Sequence, residues 1–232
     1  MNASSKPIQV DSALLGLGIY TAGDAARLIK VPQARIRRWL IGYRHTGGMS
    51  KPLWSPSIPQ YGKHLEVSFL DLMEMRFVQT FISQGVSLQR IRLALERARA
   101  LFNVEHPFST KKFRTDGRQI FLEIQRDTGD AALIDLVKNQ YAFKAVVAQS
   151  FRGLVFDADQ VIRWHPWPDR TSIVVDPARA FGTPLVSDEM VPTNVVMSAF
   201  NVSKSIKTVA ADFIIPERAV RDAIAFEEHL AA

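Results

Sequence analysis

Residues 21–40, TAGDAARLIKVPQARIRRWL, decide the fold of the first part of the chain, because they predict two short helices joined by a tight turn. Thr21 is a favourable N-cap, and the carboxylate of Asp24 can reach back to the N-cap backbone and complete a capping box. We therefore expect the first helix to begin near Ala22.

The second helix follows almost immediately. Lys30 and Val31 should form the turn, and Pro32 suits the first turn of a helix, where its missing N–H is not needed. Ile36 and Leu40 are four residues apart, so they share one face and can pack back onto the first helix. Two helices arranged in this way are typical of a helix-turn-helix that reads DNA.

The outward face of the second helix is rich in side chains that suit base edges and phosphates. The candidate DNA-binding residues on this helix are Gln33, Arg35, Arg37 and Arg38. The alternative is an ordinary solvated basic face. The charge distribution favours DNA, since residues 25–65 contain eight Lys or Arg and no Asp or Glu, whereas the net charge of the whole chain is +6.

A wing should follow the second helix, because residues 42–64 contain a Gly-Gly pair and three prolines and cannot form a regular helix. Arg44, Lys51 and Lys63 are expected to contact backbone phosphates, with an ordinary exposed basic loop as the alternative. His45 and His64 do not suggest a metal site, because no third ligand lies nearby.

Two longer amphipathic helices come next. Ser68 and Ser87 are the expected N-caps, and the apolar residues behind them should complete a first core. The predicted core residues are Ile36, Trp39, Leu40, Phe69, Leu72, Phe77, Phe81, Ile91 and Leu95. Four helices with a wing between the second and third resemble the DNA-binding domain of MerR-type regulators. The long coiled coil of those regulators does not follow, and their metal-sensing cysteines are absent, which argues against an inducer-responsive regulator.

Composition excludes several classes of protein. The chain has 232 residues, 47% of them hydrophobic, and no cysteine, which excludes disulfides, thiolate metal sites and a cysteine nucleophile. No apolar run long enough to cross a membrane and no signal peptide is evident, so we expect a cytoplasmic protein. We find neither a catalytic constellation nor a cofactor motif and expect no enzyme activity.

The middle of the chain looks rich in β-structure. In residues 111–124, KKFRTDGRQIFLEI, the pair Asp116-Gly117 predicts a two-residue hairpin turn. Residues 133–138 could be a strand or a helical turn, residues 141–151 should be helical, and residues 157–160 should form the turn of a second hairpin.

The C-terminal part repeats the first pattern. Pro216 should open a helix with Val220 and Ile224 inward, just as Pro32 precedes the inward pair of the first motif. Residues 203–232 contain four basic and five acidic residues, so this second helix-turn-helix-like unit has little attraction for phosphates. We expect it to contact protein, either a second copy of the chain or another partner.

Three short motifs, in this order, carry a family resemblance: Phe-Leu-Asp-Leu at 69–72, Thr-Asp-Gly-Arg at 115–118, and Asp-Pro with Phe-Gly-x-Pro at 176–184. With their flanking sequence they resemble VapB-type antitoxins that combine a MerR-like helix-turn-helix with a C-terminal antitoxin domain. The resemblance covers roughly residues 17–230.

The resemblance implies a cytoplasmic type II antitoxin that binds a PIN-like ribonuclease toxin and represses its own operon. We expect a homodimer to bind an inverted repeat in the operator DNA, because one small module rarely gives enough affinity or specificity alone. A PIN-type active site is lined by carboxylates, so arginines are the natural inhibitory groups. The candidate toxin-binding residues are Arg179, Arg218 and Arg221, of which the last two lie on one helix.

The expected fold is α+β and mostly helical. It comprises a MerR-like winged helix-turn-helix at 1–105, a segment of small β hairpins at 106–171, and an antitoxin and dimerisation domain at 172–232. A stand-alone transcription regulator without a toxin is the main alternative function, and an enzyme of nucleic-acid metabolism is the weaker one.

Overall fold

The structure, a computed structural model, describes residues 16–60, 64–129, 140–167, 170, 172–186 and 188–232. The chain is mostly helical, with small two-stranded antiparallel sheets. No helix in these ranges is both long and apolar enough to cross a bilayer. The expectation for residues 133–138 lies outside the described residues.

The N-terminal part forms in the predicted order. Thr21 and Asp24 make the predicted capping box, and Ser68 makes a second one with Asp71. Because the caps satisfy N–H groups that have no partner within the helix, they determine where these helices begin. The elements are β1 (Tyr20–Thr21), α1 (Ala22–Ile29), α2 (Gln33–Ile41), β2 (Tyr43–His45), β3 (Gly48–Ser50), β4 (Glu66–Val67), α3 (Phe69–Ser83) and α4 (Leu88–Phe102).

In its described residues, the middle part contains one hairpin and more helix than we expected. Its elements are a 3-10 turn (Pro107–Ser109), α5 (Lys111–Thr128), α6 (Gln140–Phe151), β5 (Leu154–Asp157) and β6 (Gln160–Trp164). The hairpin of β5 and β6 confirms the turn predicted at 157–160, and α6 confirms the helix predicted at 141–151.

The hairpin predicted at Asp116-Gly117 is wrong, because both residues lie inside α5. Thr110 caps this helix by accepting from the backbone N–H of Phe113 (3.2 Å). Gly117 is buried and has no positive φ. A Cβ at this position would press on the ring of Phe113. The glycine therefore makes room for an aromatic ring rather than forming a turn.

The C-terminal part is a three-helix unit preceded by a small sheet. Its elements are β7 (Ile173–Val174), β8 (Leu185–Val186), α7 (Thr193–Ser203), α8 (Ile206–Phe213) and α9 (Glu217–Ala231). Pro216 precedes α9, and Val220 and Ile224 are buried, as the repeated pattern predicted.

Two apolar clusters form the interior. All nine residues predicted for the first core are buried in the first cluster. That cluster extends past Phe108 and Phe121 to Val175, so the middle part of the chain completes the core of the N-terminal helices. The second cluster contains β7, β8 and the three C-terminal helices. The division of the chain at 105 and 171 stays a prediction.

The two clusters are joined beside α1. The buried hydroxyl of Tyr20 donates to the Gly182 carbonyl (3.0 Å), and the backbone N–H of Ile19 donates to the Phe181 carbonyl (2.9 Å). The ammonium group of Lys30 donates to the His229 carbonyl at the end of α9. The helix-turn-helix is therefore in direct contact with the C-terminal unit.

Candidate nucleic-acid interface

The turn between α1 and α2 is short because one residue takes the left-handed conformation. Lys30 has φ 54° and ψ 45°, and the next residue, Val31, is buried. The carbonyl of Pro32, which stands just before α2, accepts from the N–H groups of Arg35 (2.8 Å) and Ile36 (3.2 Å). This geometry fixes α2 across α1 and determines which of its sides faces out.

The outward side of α2 carries the predicted cations. Ile36, Trp39 and Leu40 are buried against the core. Of the predicted contact residues on this helix, Gln33, Arg35 and Arg38 are exposed and Arg37 is half-buried. The four residues therefore lie on the accessible part of α2, while the apolar side of this helix packs against the core.

Two of these arginines are held by neighbouring groups. The guanidinium of Arg35 donates to the side-chain oxygen of Gln79 on α3 (3.3 Å). The guanidinium of Arg38 lies 5.4 Å from the centre of the Tyr43 ring at the start of β2. These contacts restrict the side chains while leaving both exposed, which lowers the entropy lost on binding a ligand.

A hairpin directly follows α2. β2 and β3 pair antiparallel, with Arg44 opposite Met49, and both side chains are exposed. Gly42 ends α2 and allows the chain to pass into β2, since it has φ 82° and a Cβ there would collide with the Ser50 carbonyl. The hairpin thus places Arg44 beside α2 on a projecting strand pair.

Lys51 follows this hairpin, and its side chain is exposed. Its carbonyl accepts from the guanidinium of Arg92 on α4 (2.7 Å), which ties the hairpin to the helical core. Lys63, the remaining predicted phosphate contact, lies outside the described residues.

Asp71 organises the loop after the hairpin, a role that the sequence only partly indicated. Besides capping α3, its buried carboxylate accepts from the indole N–H of Trp54 (2.7 Å) and the backbone N–H of Ser57 (3.0 Å). The available signal was Trp54 itself, because a buried indole N–H needs an acceptor. One carboxylate thus fixes both the helix and the loop.

A second buried acid lies one turn further along α3. Glu74 is fully buried and accepts from the backbone N–H of Phe108 (2.9 Å), and burial raises its pKa to about 8. His106 lies on the same side, with Nε2 2.9 Å from the Ser57 hydroxyl, and burial lowers its pKa. Neither group was predicted from the sequence, because the burial of a single polar side chain depends on contacts between segments distant in the chain.

The predicted toxin-binding arginines lie far from α2 in sequence, and each has an acidic neighbour. Arg179 Nε is 3.7 Å from Asp176, Arg218 Nε is 3.9 Å from Asp222, and Arg221 Nη2 is 2.6 Å from Glu217. Arg218 is the most exposed of the three, at 79%. It also lines a cleft of about 540 Å³ whose lining does not include the other two.

The turn between α8 and α9 repeats the first turn closely. Ile214 has φ 55° and ψ 44°, nearly the values of Lys30. Val31 and Ile215, the next residues, each donate to the carbonyl of an alanine five residues earlier (3.2 and 3.0 Å). A proline follows in both turns. The two units therefore share a backbone design but differ in the charge of the second helix.

Comparison with known proteins agrees with this geometry. Residues 18–95 match a family model described as "Putative DNA-binding HTH domain". The N-terminal part of the chain is a helix-turn-helix domain. The match ends within α4 and leaves the remainder of the chain outside that domain.

Longer matches come from Mycobacterium tuberculosis (strain ATCC 25618 / H37Rv). The chain is 26% identical over 223 residues to "Putative antitoxin VapB45", covering 89% of this chain and 92% of that protein. It is 24% identical over 226 residues to "Uncharacterized protein Rv2308", covering 92% and 91%. The crystal structure of Rv2018 from M. tuberculosis superposes with a TM-score of 0.67 at 22% identity, over 88% of this chain and 96% of that one. The last match shows a shared fold.

Proposed function

We propose that this protein is a type II antitoxin that represses its own operon and neutralises a PIN-like ribonuclease toxin. One observation carries the proposal: a helix-turn-helix with an outward cationic second helix lies in a chain that resembles, along most of its length, a protein named as an antitoxin. The proposal implies a cytoplasmic protein without a membrane partner, an enzyme activity or a cofactor.

Operator DNA is the first proposed partner. Gln33, Arg35, Arg37 and Arg38 would enter a major groove, since an α-helix fits there and arginine pairs with guanine edges. The hairpin of β2 and β3 would act as a MerR-like wing, with Arg44 and Lys51 on phosphates and Lys63 as a third contact. A homodimer on an inverted repeat would double the contacts, which a single small module needs for specificity.

The toxin is the second proposed partner, and the C-terminal arginines are the proposed contacts. Arg218 is the best placed of the three, because its ion pair is the longest and its side chain the most exposed. Its acidic neighbour, Asp222, also accepts from the Ser172 hydroxyl (2.6 Å) and so stays satisfied if Arg218 turns away. Arg218 can then offer its planar fork to toxin carboxylates, and Arg179 and Arg221 are the other two proposed contacts.

The test is RNA cleavage by the PIN-like ribonuclease that this proposal expects a neighbouring reading frame to encode, measured with the full-length protein added. The full chain is required, because residues such as Phe108 and Phe121 complete the first core. Wild-type protein should copurify with the nuclease and stop cleavage, whereas Arg218→Glu should weaken inhibition at least tenfold by placing a carboxylate against carboxylates.

Arg126→Glu is the matched control, since Arg126 is also an exposed arginine on a helix, in α5. This variant should inhibit like wild type. If no neighbouring nuclease copurifies and cleavage continues in the presence of wild-type protein, the stand-alone regulator is the better account.

A further inference from the structure

A basic groove of about 490 Å³ lies between α5 and α6, outside the part of the chain that matches the helix-turn-helix family. The charged side chains that line this α5–α6 groove are all cations, Arg114 and Arg118 on α5 and Lys144 on α6. Among the residues that the structure describes, no Asp or Glu lines it. Neither the helix-turn-helix nor the C-terminal arginines account for this groove.

The acidic residues of α5 lie on the other side of the helix. Glu123 Oε2 is 4.0 Å from a guanidinium nitrogen of Arg97 on α4, and Asp127 forms an ion pair with the same arginine. Asp116 falls between the two groove arginines in sequence, but two residues correspond to about 200° around a helix, so it projects away from them. α5 therefore separates its charges, with the ion-paired acids next to α4 and the cations next to α6.

Aromatic packing fixes the shape of the α5–α6 groove. The buried rings of Phe121 on α5 and Phe143 on α6 have their centres 5.8 Å apart. Phe143 and the buried Val147 also line the groove, beneath its cations. The guanidinium of Arg114 lies 5.8 Å from the centre of the Phe151 ring on α6. Because these contacts exist without a ligand, the groove is preformed and should lose little entropy on binding.

Tyr141 adds an aromatic surface to one wall of the groove. It lies in the first turn of α6 and is 85% exposed. It precedes Lys144 by three residues and Ala148 by seven, so the three share one face of the helix, and the latter two line the groove. The ring of Tyr141 is therefore available to stack on a planar group next to the cations.

We infer that the α5–α6 groove binds a single-stranded nucleic acid, RNA or DNA, with its cations on the phosphates and Tyr141 stacked on a base. Proteins that bind single strands combine a cationic groove along the backbone with aromatic side chains for the bases. Arg114 and Arg118 are about 6 Å apart along the helix axis, which suits a chain of phosphates better than one compact anion. A duplex is the less suitable ligand, because its bases are stacked on one another and offer no free face to Tyr141. This inference goes beyond the proposed antitoxin function and does not depend on it.

Fluorescence anisotropy tests the inference, with the full-length protein and labelled oligouridylate and oligothymidylate of about 12 nucleotides. Wild-type protein should bind at least one of the two strands, and Lys144→Glu should weaken this binding at least tenfold and flatten its salt dependence. Arg38→Glu is the matched control, since it makes the same change of charge at an exposed residue of α2 and should leave single-strand binding unchanged. Tighter binding of oligouridylate would identify RNA as the ligand, and tighter binding of oligothymidylate would identify DNA.

Tyr141 separates base stacking from simple attraction between charges. Tyr141→Ala should weaken binding about fivefold or more, whereas Tyr141→Phe keeps the ring and should bind like wild type. Because Tyr141 is exposed, neither variant should change Tm.

Three results would overturn the inference. Wild-type protein that bound neither strand would exclude it, and so would an equal loss in Lys144→Glu and Arg38→Glu, which would assign the binding to the helix-turn-helix. If Lys144→Glu instead bound both strands normally but no longer copurified with the toxin, the groove would be a toxin-binding surface. The first two results would leave the proposed antitoxin function intact.

Discussion

At the scale of single residues, the cations of the helix-turn-helix should contribute to DNA binding in two different ways. Arg35 and Arg38 lie on α2, from which they would reach base edges if α2 enters a major groove. Lys51 follows the hairpin, from which we propose that it contacts phosphates. Arg35→Ala and Arg38→Ala should each cost about 1–3 kcal/mol on the operator and less on unrelated DNA. Lys51→Ala should weaken binding to all sequences alike and reduce the salt slope by about one.

Gel shifts at several salt concentrations would measure both effects. Arg27→Ala is the control, because Arg27 is an exposed arginine on α1 that already pairs with Asp24. If the double variant of Arg35 and Arg38 bound operator as well as wild type, α2 would not be the reading helix.

Among the described residues with positive φ, Ile214 is the β-branched one, so its backbone is poorly suited to its side chain. A β-branched residue in the left-handed conformation crowds its Cβ against the backbone, whereas asparagine tolerates this region. The side chain is also 87% exposed and contributes little packing. Ile214→Asn should therefore stabilise the protein by about 1 kcal/mol and raise Tm by about 2–4 °C.

Differential scanning calorimetry would detect this shift. Ile162→Asn, at another exposed isoleucine but in a strand with ordinary φ, should give no such gain. An unchanged or lower Tm for Ile214→Asn would show that Ile214 is not strained, or that its side chain stabilises the fold in some other way.

At the scale of elements, Glu74 links α3 to the 3-10 turn before α5 and should make their packing dependent on pH. Its pKa is about 8 in the folded protein because of burial, whereas an unfolded glutamate has its usual value of 4.5. Between these values the folded state binds the extra proton, so stability falls as pH rises from about 4.5 to about 8 and is level above that range.

Glu74→Gln should remove this dependence, because the amide is neutral at every pH and its oxygen can still accept from the N–H of Phe108. Denaturant unfolding between about pH 5 and 9 would measure the slope for both proteins. Glu105→Gln is the control, since Glu105 is near in sequence but its side chain is not fully buried. A slope that persisted in Glu74→Gln would assign the dependence to another group.

At the scale of the whole molecule, Tyr20 ties the first apolar cluster to the segment that precedes β8. Its hydroxyl is buried against the Gly182 carbonyl, and burial raises the pKa of the phenol, so the group stays protonated and continues to donate. Tyr20→Phe would leave that carbonyl without its donor and should cost about 1–3 kcal/mol in the free energy of unfolding.

Equilibrium unfolding monitored by tryptophan fluorescence would measure the loss. Tyr43→Phe, at a partly exposed tyrosine of the hairpin, should cost much less. A second transition appearing in Tyr20→Phe would show that the two clusters unfold separately once this hydrogen bond is removed. If Tyr20→Phe unfolded like the wild-type protein, the hydrogen bond to Gly182 would contribute nothing to the free energy of unfolding.

Local chemistry alone was enough to predict the two helices within residues 21–40. The capping box at Thr21 and the helical spacing of Ile36 and Leu40 act over a few residues, so the helix-turn-helix and its outward cations were predictable. The C-terminal turn was predictable for the same reason, because proline and two inward aliphatics repeat the pattern.

The tertiary structure decided what local chemistry left ambiguous. An Asp-Gly pair favours a tight turn only where the backbone is free to reverse. Gly117 instead lies inside α5, where the absence of a side chain leaves room for the ring of Phe113. The acceptor of the Trp54 indole, the burial of Glu74 and the bond from Tyr20 to Gly182 join residues distant in sequence. Such contacts depend on how the helices pack against one another, and a short sequence pattern carries no information about that packing. Packing selects one structure among several that local propensity leaves nearly equal in free energy.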